Sequence, residues 1–487
     1  MSELARRAVR GTLAAGLANV VTRLVGFATA LYLMEAVDAR AFGLVDYAVA
    51  LLAILSSVGN FGFAQAAIHR KERVAQTFGT FLALRVGLLV VLLGLLAVAA
   101  LVAPGLIVGR THAGALAVLA GAQVLEGAAE AMAARLSRDL RFGRLMIVDV
   151  AGVAVGATVG IALAAHGLGL WALVAYRVSH VAARAVGLAA AGVEPVTLAF
   201  HKADAAWLLR FGFPLWLGSL ATTWVLKYDD LVVGWLTDAR TLGHYGRAYA
   251  FALVPVAMVT GVLTRVSFPL YARLQDDRSR LSEAFRLVSG TTLRLAAPMA
   301  VAIAVALPDL LAVLDWTERW GPMVPLFRWL LVYTVARPLL DDAGGLLTAV
   351  GRPGVTGRTL LAQAAALVVL CPALTRWRGA EGAALSVGVV VLAALGVWYV
   401  VFLPKAVDVA WRRILAWPLV SLAAAGAAAI GVGAAGWRQP GWAPGLAKLA
   451  ALAIVYAGGM LLLDGRGLLA DLRTLRRHAL ATEEDRG

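Results

Sequence analysis

The chain has 487 residues, of which 61% are hydrophobic and 15% are charged, with a formal net charge of +15. A soluble domain averages about 45–50% apolar and about 25% charged residues, so this composition excludes an ordinary water-soluble protein. Lipid offers the backbone no hydrogen-bond partners, and the apolar runs are long and do not alternate, so they predict helices of about 20 residues. The fold class predicted is an all-α polytopic membrane protein.

Fourteen apolar segments follow one another along the chain, and we predict a transmembrane helix in each of them. The segments lie near residues 11–36, 41–67, 77–103, 113–133, 145–166, 168–192, 211–236, 243–270, 287–313, 324–349, 359–376, 381–403, 413–436 and 443–464. The first follows Arg6, Arg7 and Arg10, but it is too long for the apolar core of a cleavable signal peptide. We therefore interpret it as the first span.

The positive charge is distributed unevenly between the two sets of gaps that separate these segments. The gaps on the side of the N-terminus hold most of the Lys and Arg residues. The opposite gaps hold few, namely Arg40, Arg110, Arg240, Arg319, Arg376, Arg378 and Arg438. Because Lys and Arg are retained in the cytoplasm, this pattern predicts that both termini are cytoplasmic. The charge is thereby explained by membrane orientation, and no nucleic-acid partner is predicted.

A sequence repeat divides the chain into similar halves. Asp38-Ala39-Arg40-Ala41-Phe42-Gly43 returns as Asp238-Ala239-Arg240-Thr241-Leu242-Gly243, each copy in a short polar gap between apolar segments. Six predicted spans separate the copies, and an even number gives both halves the same orientation. Such a parallel repeat relates two halves by an axis along the membrane normal, as in many transporters.

The repeat predicts the domain organisation. Residues 1–192 form an N-lobe with spans 1–6, residues 193–210 a cytoplasmic linker, and residues 211–403 a C-lobe with spans 7–12. Residues 404–464 add spans 13 and 14, and residues 465–487 form a cytoplasmic tail. Prolines interrupt the spans only in the second half, which favours bending there.

No motif in the sequence indicates an enzyme. Gly431-Val432-Gly433-Ala434-Ala435-Gly436 matches the dinucleotide fingerprint in form, but it lies in an apolar span without a preceding strand. A second set of glycines, Gly152, Gly156 and Gly160, is better explained as a ridge for close helix packing. The single cysteine, Cys371, has no metal-ligand residues near it. Neither a cofactor nor a metal site is predicted.

Charged residues within the spans carry the functional prediction. A charge at the centre of a bilayer costs about 2.5–3.5 kcal/mol or more, so each needs a partner or water. Lys227 with Asp230, and Arg337 with Asp341, have the spacing of pairs on one helix. Glu126 and Glu130 could both meet Arg85 across the hairpin of spans 3 and 4. These pairings are the structural alternative to a functional role.

Three arginines have no acidic residue at helical spacing, namely Arg23, Arg177 and Arg247. An arginine that faces a central cavity would bind a diphosphate, because guanidinium contacts phosphate oxygens with two hydrogen bonds. Arg23 and Arg247 are the leading diphosphate contacts. The full set of predicted substrate contacts is Arg23, Arg177, Lys227, Arg247 and Arg337.

Acidic residues within the spans are predicted to serve coupling or gating. Asp229 and Asp230 point about 100° apart on a helix, so both cannot face Lys227. Asp230 has the better spacing for the lysine, and Asp229 then requires water, a proton, a sodium ion or Arg247. The predicted coupling or gating residues are Asp46, Asp229, Asp230, Asp341 and Asp342.

Several strings resemble the polysaccharide-transporter (Wzx-type) family of the multidrug/oligosaccharidyl-lipid/polysaccharide exporter superfamily. The strings begin at Gly169-Leu170-Trp171, Phe211-Gly212-Phe213-Pro214, Tyr228-Asp229-Asp230, Leu242-Gly243-His244-Tyr245, Phe268-Pro269, Trp320-Gly321-Pro322 and Gly351-Arg352-Pro353. Their order and spacing over roughly residues 10–465 carry the resemblance.

The resemblance implies a flippase that moves undecaprenyl-diphosphate-linked oligosaccharide from the inner to the outer leaflet of the bacterial cytoplasmic membrane. It implies two six-helix lobes with two extra helices and alternating access around a cationic cavity. A glycan polymerase and other envelope assembly proteins are candidate partners, and a proton or sodium gradient is a candidate energy source. The alternative is a multidrug/cation antiporter of the same superfamily, whose cavity should be acidic or apolar.

Overall fold

The computed structural model describes residues 21–107, 111–191, 196–435 and 440–484, and every long element among them is helical, without a strand. The all-α fold class is therefore confirmed. Outside the described residues lie the basic cluster Arg6, Arg7 and Arg10, the outer-gap residues Arg110 and Arg438, part of the predicted linker and the end of the tail.

The chain divides into two compact units, Met1–Gly246 and Arg247–Gly487. The first begins with α1 at residues 21–36. It continues with α2 (Ala39–Val58), α3 (Phe63–His69), α4 (Val74–Val102), α5 (Pro104–Ile107), α6 (Ala113–Arg138), α7 (Phe142–Ala165), α8 (Gly169–Ala190), α9 (Lys202–Leu236) and the start of α10 (Ala239–Arg273). The lobe boundaries drawn from the repeat, 1–192 and 211–403, stay a prediction.

The second unit continues α10 and ends with the last long helix. It contains α11 (Arg278–Val313), α12 (Thr317–Trp320), α13 (Met323–Ala349), α14 (Pro353–Arg378), α15 (Ala380–Val397), α16 (Trp417–Ala434) and α17 (Trp442–Glu484). Short π-helical turns, Trp398–Phe402 and Arg412–Ala416, flank the connection between α15 and α16. Helix α17 is interrupted at Asp464, whose backbone is not helical.

Ten of the described helices are long and apolar enough to cross a membrane, and an eleventh span is formed if the bent helix α10 is included. The predicted count of fourteen is therefore not confirmed. Helices also lie where spans 1, 6 and 7 are predicted, at residues 21–36, Gly169–Ala190 and Lys202–Leu236. Charged residues in these helices, such as Lys227 and Asp229, lower their hydropathy.

Glycines bring α7 and α8 into close contact, as the sequence predicts. A β-carbon at Gly156 would lie 2.8 Å from the carbonyl oxygen of Tyr176, and one at Gly160 would lie 2.8 Å from the β-carbon of Tyr176. At Gly152 it would lie 3.1 Å from the His180 ring. Small residues let helix backbones approach, so this ridge is a packing feature.

The two copies of the repeat contact each other within the first unit. A β-carbon at Gly43 would overlap the carbonyl of Ala239, and one at Gly243 would overlap the carbonyl of Ala39. The contact is reciprocal, as expected for two copies related by a two-fold axis. Arg40 and Arg240 are each the second residue of their helix, and their placement at matching outer positions stays a prediction.

An aspartate caps each of these helices. Asp38 accepts a hydrogen bond from the Ala41 backbone N–H at 2.8 Å, and Asp238 accepts from the Arg240 N–H at 2.8 Å and the Thr241 hydroxyl at 2.6 Å. Partial burial by itself would raise the pKa of Asp238. The hydrogen bonds from these donors stabilise the charged carboxylate more strongly, so the pKa of Asp238 lies below its ordinary value. Both copies of the repeat therefore contain an aspartate that caps the helix after it.

Helix α10 bends by 43° between Gly261 and Val266. The helix contains Pro255 and Pro269, and neither has an N–H for the carbonyl of the residue four positions earlier. That the second half bends during transport stays a prediction.

Candidate substrate and coupling sites

The two adjacent aspartates of α9 have different environments: Asp230 is ion-paired, and Asp229 is buried beside a tyrosine. Asp230 lies 2.9 Å from the Lys227 ammonium, which confirms the pairing predicted from their spacing. The adjacent Asp229 is fully buried and accepts a hydrogen bond of 2.6 Å from the Tyr245 hydroxyl on α10. Its second carboxyl oxygen is buried and accepts no hydrogen bond within the described part of the chain.

The aspartate pair of α13 repeats this arrangement in the second unit. Asp341 lies 2.8 Å from Arg337, which again confirms a predicted pair. The adjacent Asp342 is 5% exposed and accepts hydrogen bonds from the Tyr271 hydroxyl at 3.0 Å and from the Ser289 hydroxyl. Each unit therefore places a carboxyl group beside neutral hydroxyl donors, one position away from a carboxylate that neutralises a cation.

Such a buried carboxyl group is suited to carrying a proton. A charge in a low-dielectric interior is costly unless a cation or several donors stabilise it, and the group avoids the cost by binding a proton. Tyrosine and serine hydroxyls can donate to the charged form and accept from the protonated form. The environments of Asp229 and Asp342 therefore permit both states without rearrangement of a salt bridge.

The five predicted substrate cations have different environments. Lys227 and Arg337 are ion-paired on their own helices. Arg23 is exposed on α1, and Arg247 is half-buried on α10. Arg177 is exposed in the middle of α8 and forms no hydrogen bond or ion pair with any residue that the structure describes. The assembly of all five around one cavity stays a prediction.

Asp46, the remaining predicted coupling residue, is half-buried on α2. Its carboxylate packs against Gly246, where a β-carbon would lie 2.6 Å from an Asp46 oxygen. The glycine thus allows the carboxylate of α2 to approach the backbone of α10. The structure places Asp46 at this helix contact, and its role in coupling stays a prediction.

Helices α2, α4 and α6 share a buried polar network around Arg85. This arginine is 3% exposed and donates to the Glu130 carboxylate at 3.0 Å and to the Ser56 carbonyl at 2.8 Å. The predicted pairing with Glu130 is confirmed. The predicted pairing with Glu126 is wrong, because Glu126 instead accepts from Arg184 of α8 at 2.8 Å.

Arg184 also donates to Asp149 of α7 at 2.8 Å, so one guanidinium joins α6, α7 and α8. Its two acidic partners are 35 and 58 residues away. No local spacing could have identified these pairs. The charge of Arg184 is therefore neutralised by two carboxylates. Arg177, two helical turns earlier on the same helix, has no acidic partner among the described residues.

Two further ion pairs join α11 to α17. Arg294 lies 2.7 Å from Asp464, the residue at which α17 is interrupted, and Arg413 lies 3.5 Å from the same carboxylate. Asp309 lies 2.8 Å from Lys448. The partners of Arg294 and Asp309, which are Asp464 and Lys448, belong to the predicted extra spans.

Comparison with known proteins agrees with this architecture. A family model described as "Polysaccharide biosynthesis protein" matches residues 37–325. The chain is 25% identical to the lipopolysaccharide biosynthesis protein WzxC of Escherichia coli strain K12 over 357 residues, which cover 72% of each chain. It is also 25% identical to the succinoglycan biosynthesis transport protein ExoT of Rhizobium meliloti strain 1021, over 62% of this chain and 65% of that protein.

Two solved structures show the same fold. The lipid II flippase MurJ in an inward closed conformation superposes with a TM-score of 0.71 at 11% identity, over 95% of this chain and 100% of that chain. An inward-facing multidrug resistance MATE transporter of the MOP superfamily gives a TM-score of 0.54 at 13% identity, over 75% and 92%. This multi-pass membrane protein belongs to the polysaccharide biosynthesis protein family.

Proposed function

We propose that the protein moves an undecaprenyl-diphosphate-linked oligosaccharide from the inner to the outer leaflet of the bacterial cytoplasmic membrane by alternating access. The names of its relatives support a polysaccharide-related cargo, since ExoT is described as a succinoglycan transport protein and WzxC as a lipopolysaccharide biosynthesis protein. In this proposal both termini are cytoplasmic, and a glycan polymerase receives the translocated unit.

The observation that carries the proposal is the environment of Arg177. Its guanidinium is exposed in mid-helix, in a segment predicted to cross the membrane, without an acidic partner among the described residues. An arginine at that depth costs several kcal/mol in hydrocarbon, so its presence requires water or an anion. A diphosphate supplies two adjacent anionic groups, and guanidinium binds them bidentately. A cationic drug would be repelled by the same group.

The proposal includes coupling to a proton gradient through Asp229 and Asp342. Each is buried beside tyrosine, without an ion pair in the described residues, and can therefore bind and release a proton as the transporter changes state. Sodium is the alternative coupling ion. The ion-paired neighbours Asp230 and Asp341 hold Lys227 and Arg337 in place and are not the proton carriers.

Translocation in proteoliposomes tests the function. A fluorescent undecaprenyl-diphosphate sugar is incorporated, and its movement between leaflets is followed by chemical quenching of the outer leaflet. We expect rapid translocation with the wild-type chain and loss of translocation with Arg177→Ala, whereas Arg280→Ala, at a 76% exposed side chain outside the predicted spans, has no effect. Efflux of cationic dyes without lipid translocation would instead identify a multidrug antiporter.

A further inference from the structure

A groove of about 380 Å³ runs between α14 and α15 in the second unit. Its walls are mostly apolar, and small residues on both helices, among them Ala362, Ala366 and Ala394, leave the space between them open. The volume lies within the roughly 300–1,000 Å³ that ligand sites occupy. The groove is therefore large enough to hold part of a lipid chain.

One polar group in the groove lacks a partner. The Gln363 side chain is 4% exposed, lines the groove, and has a buried amide oxygen that accepts no hydrogen bond from the residues the structure describes. A buried amide without a partner costs about 1–3 kcal/mol. Its neighbour Thr359 is satisfied, because it accepts from the Trp398 indole at 2.7 Å. Gln363 therefore offers an unpaired polar group to a ligand in the groove.

A cation lies at one end of the same groove. The Arg358 Nε atom donates to the Gly354 carbonyl at 3.1 Å, which leaves its two terminal nitrogens available at an exposed position. Arg352 is exposed just before the same helix. This end belongs to a gap that the arginine distribution assigns to the cytoplasm. The groove thus has a cationic mouth, an apolar channel and a buried amide between them.

The spacing of these groups identifies the occupant. Gln363 follows Arg358 by five residues, or about 7.5 Å along the helix. In a glycerophospholipid, the glycerol backbone places ester carbonyls at a comparable depth below the phosphate. A polyprenyl phosphate has only hydrocarbon there. An amide can turn over and present its N–H₂ group, so Gln363 can donate to an ester carbonyl.

We propose that the groove between α14 and α15 binds one acyl chain of an anionic glycerophospholipid from the surrounding bilayer. Its phosphate contacts Arg358, and its ester carbonyl accepts a hydrogen bond from Gln363. Basic pockets between transmembrane helices on the cytoplasmic side bind anionic headgroups in this way. The site uses none of the residues predicted to bind the transported substrate and does not depend on the proposed function.

Native mass spectrometry of the full-length protein in detergent tests this site with phosphatidylglycerol, phosphatidylcholine and undecaprenyl phosphate as probes. We expect one phosphatidylglycerol to be retained per chain in preference to the other two lipids. Arg358→Ala should weaken retention by about tenfold, as for loss of one charge-assisted contact, and Arg280→Ala should not change it. Equal retention of phosphatidylcholine, or stronger retention of undecaprenyl phosphate, would overturn the assignment.

Two matched comparisons test the position of the lipid. Ala366→Phe fills the groove and should abolish retention, whereas Ala365→Phe, on an exposed neighbouring position, should preserve it. Wild-type protein should prefer ester-linked to ether-linked phosphatidylglycerol, and Gln363→Leu should bind both equally. Equal losses from the two phenylalanine variants, or an ester preference that survives in Gln363→Leu, would contradict the proposal.

Discussion

The backbone of Gly43 lies against the carbonyl group of Ala239, and the backbone of Gly243 lies against the carbonyl group of Ala39. Two short strings that are recognisable as a repeat in the sequence are thus in direct contact in the structure. Neither position has room for a side chain. The contact between the copies therefore requires glycine at both positions.

Gly43→Ala and Gly243→Ala should each disrupt this contact. A methyl group would overlap a backbone carbonyl, which cannot move aside like a flexible side chain, so we expect destabilisation of about 1–3 kcal/mol or more. Gly87→Ala is the matched control, because a β-carbon there meets no atom within 4 Å. Alanine is the better helix former, so the control should be neutral or slightly stabilising. Thermal unfolding in detergent measures the difference, and equal effects at all three glycines would contradict the expectation.

Asp229→Asn and Asp230→Asn should have opposite phenotypes. Asparagine at 229 resembles a protonated aspartate and retains the Tyr245 contact, so the protein should remain stable but lose its dependence on an imposed proton gradient. Asparagine at 230 removes the partner of Lys227, whose side chain is 39% exposed. Solvent screens that lysine partly, so we expect destabilisation of about 1–2 kcal/mol.

Transport under separate proton and sodium gradients, together with thermal unfolding, measures both effects. Lys227→Met combined with Asp230→Asn is the control, since removing both charges should recover much of the lost stability. Unchanged gradient dependence in Asp229→Asn would show that Asp229 has a structural role. A response to sodium alone would exclude the proton.

Arg177→Ala and Arg184→Ala should separate transport from stability. Arg184 binds Asp149 and Glu126, so its removal leaves two carboxylates unpaired and should lower the unfolding temperature by several degrees. Arg177 has no described acidic partner, so its loss should abolish glycan export without a change in unfolding temperature. Comparable export from cells that carry either variant at equal membrane levels would reject this distinction.

Asp238→Ala should destabilise the protein by about 1 kcal/mol, because it removes the cap of α10. Asp238→Asn is the matched control and should retain most of the cap at neutral pH. Because the pKa of Asp238 is lower in the folded protein, its charge stabilises the fold above the unfolded pKa, and this contribution is lost as the pH falls through the folded value. Unfolding measured between neutral and acidic pH should show a smaller acid effect in Asp238→Asn.

The sequence predicted the contacts that lie within single helices. Lys227 with Asp230 and Arg337 with Asp341 follow from helical geometry alone, and the glycine ridge of α7 follows from its four-residue spacing. The partner of Glu126 could not be predicted from helical spacing. It precedes Glu130 by one turn, but neighbouring helices approach that face from two sides, so Glu130 meets Arg85 and Glu126 meets Arg184.

The hydrogen-bond donors to Asp229 and Asp342 also could not be predicted from the sequence. Their hydroxyl partners lie on other helices, and Tyr271 is 71 residues from Asp342. Tyrosine also occurs widely as an apolar packing residue, so no charge pattern indicates such a contact. The fold class and the helix-local ion pairs were accessible from the sequence, whereas the identity of the buried hydroxyl donors required the structure.

The ion pairs between α11 and α17 have a consequence for biosynthesis. A ribosome completes α11 long before it makes the residues that neutralise Arg294 and Asp309, since those partners lie 170 and 139 positions later. Newly inserted α11 must therefore keep both charges hydrated or bound to an insertion factor until the C-terminal helices arrive. A nascent chain arrested before α17 should accordingly be a preferred substrate of membrane quality-control proteases.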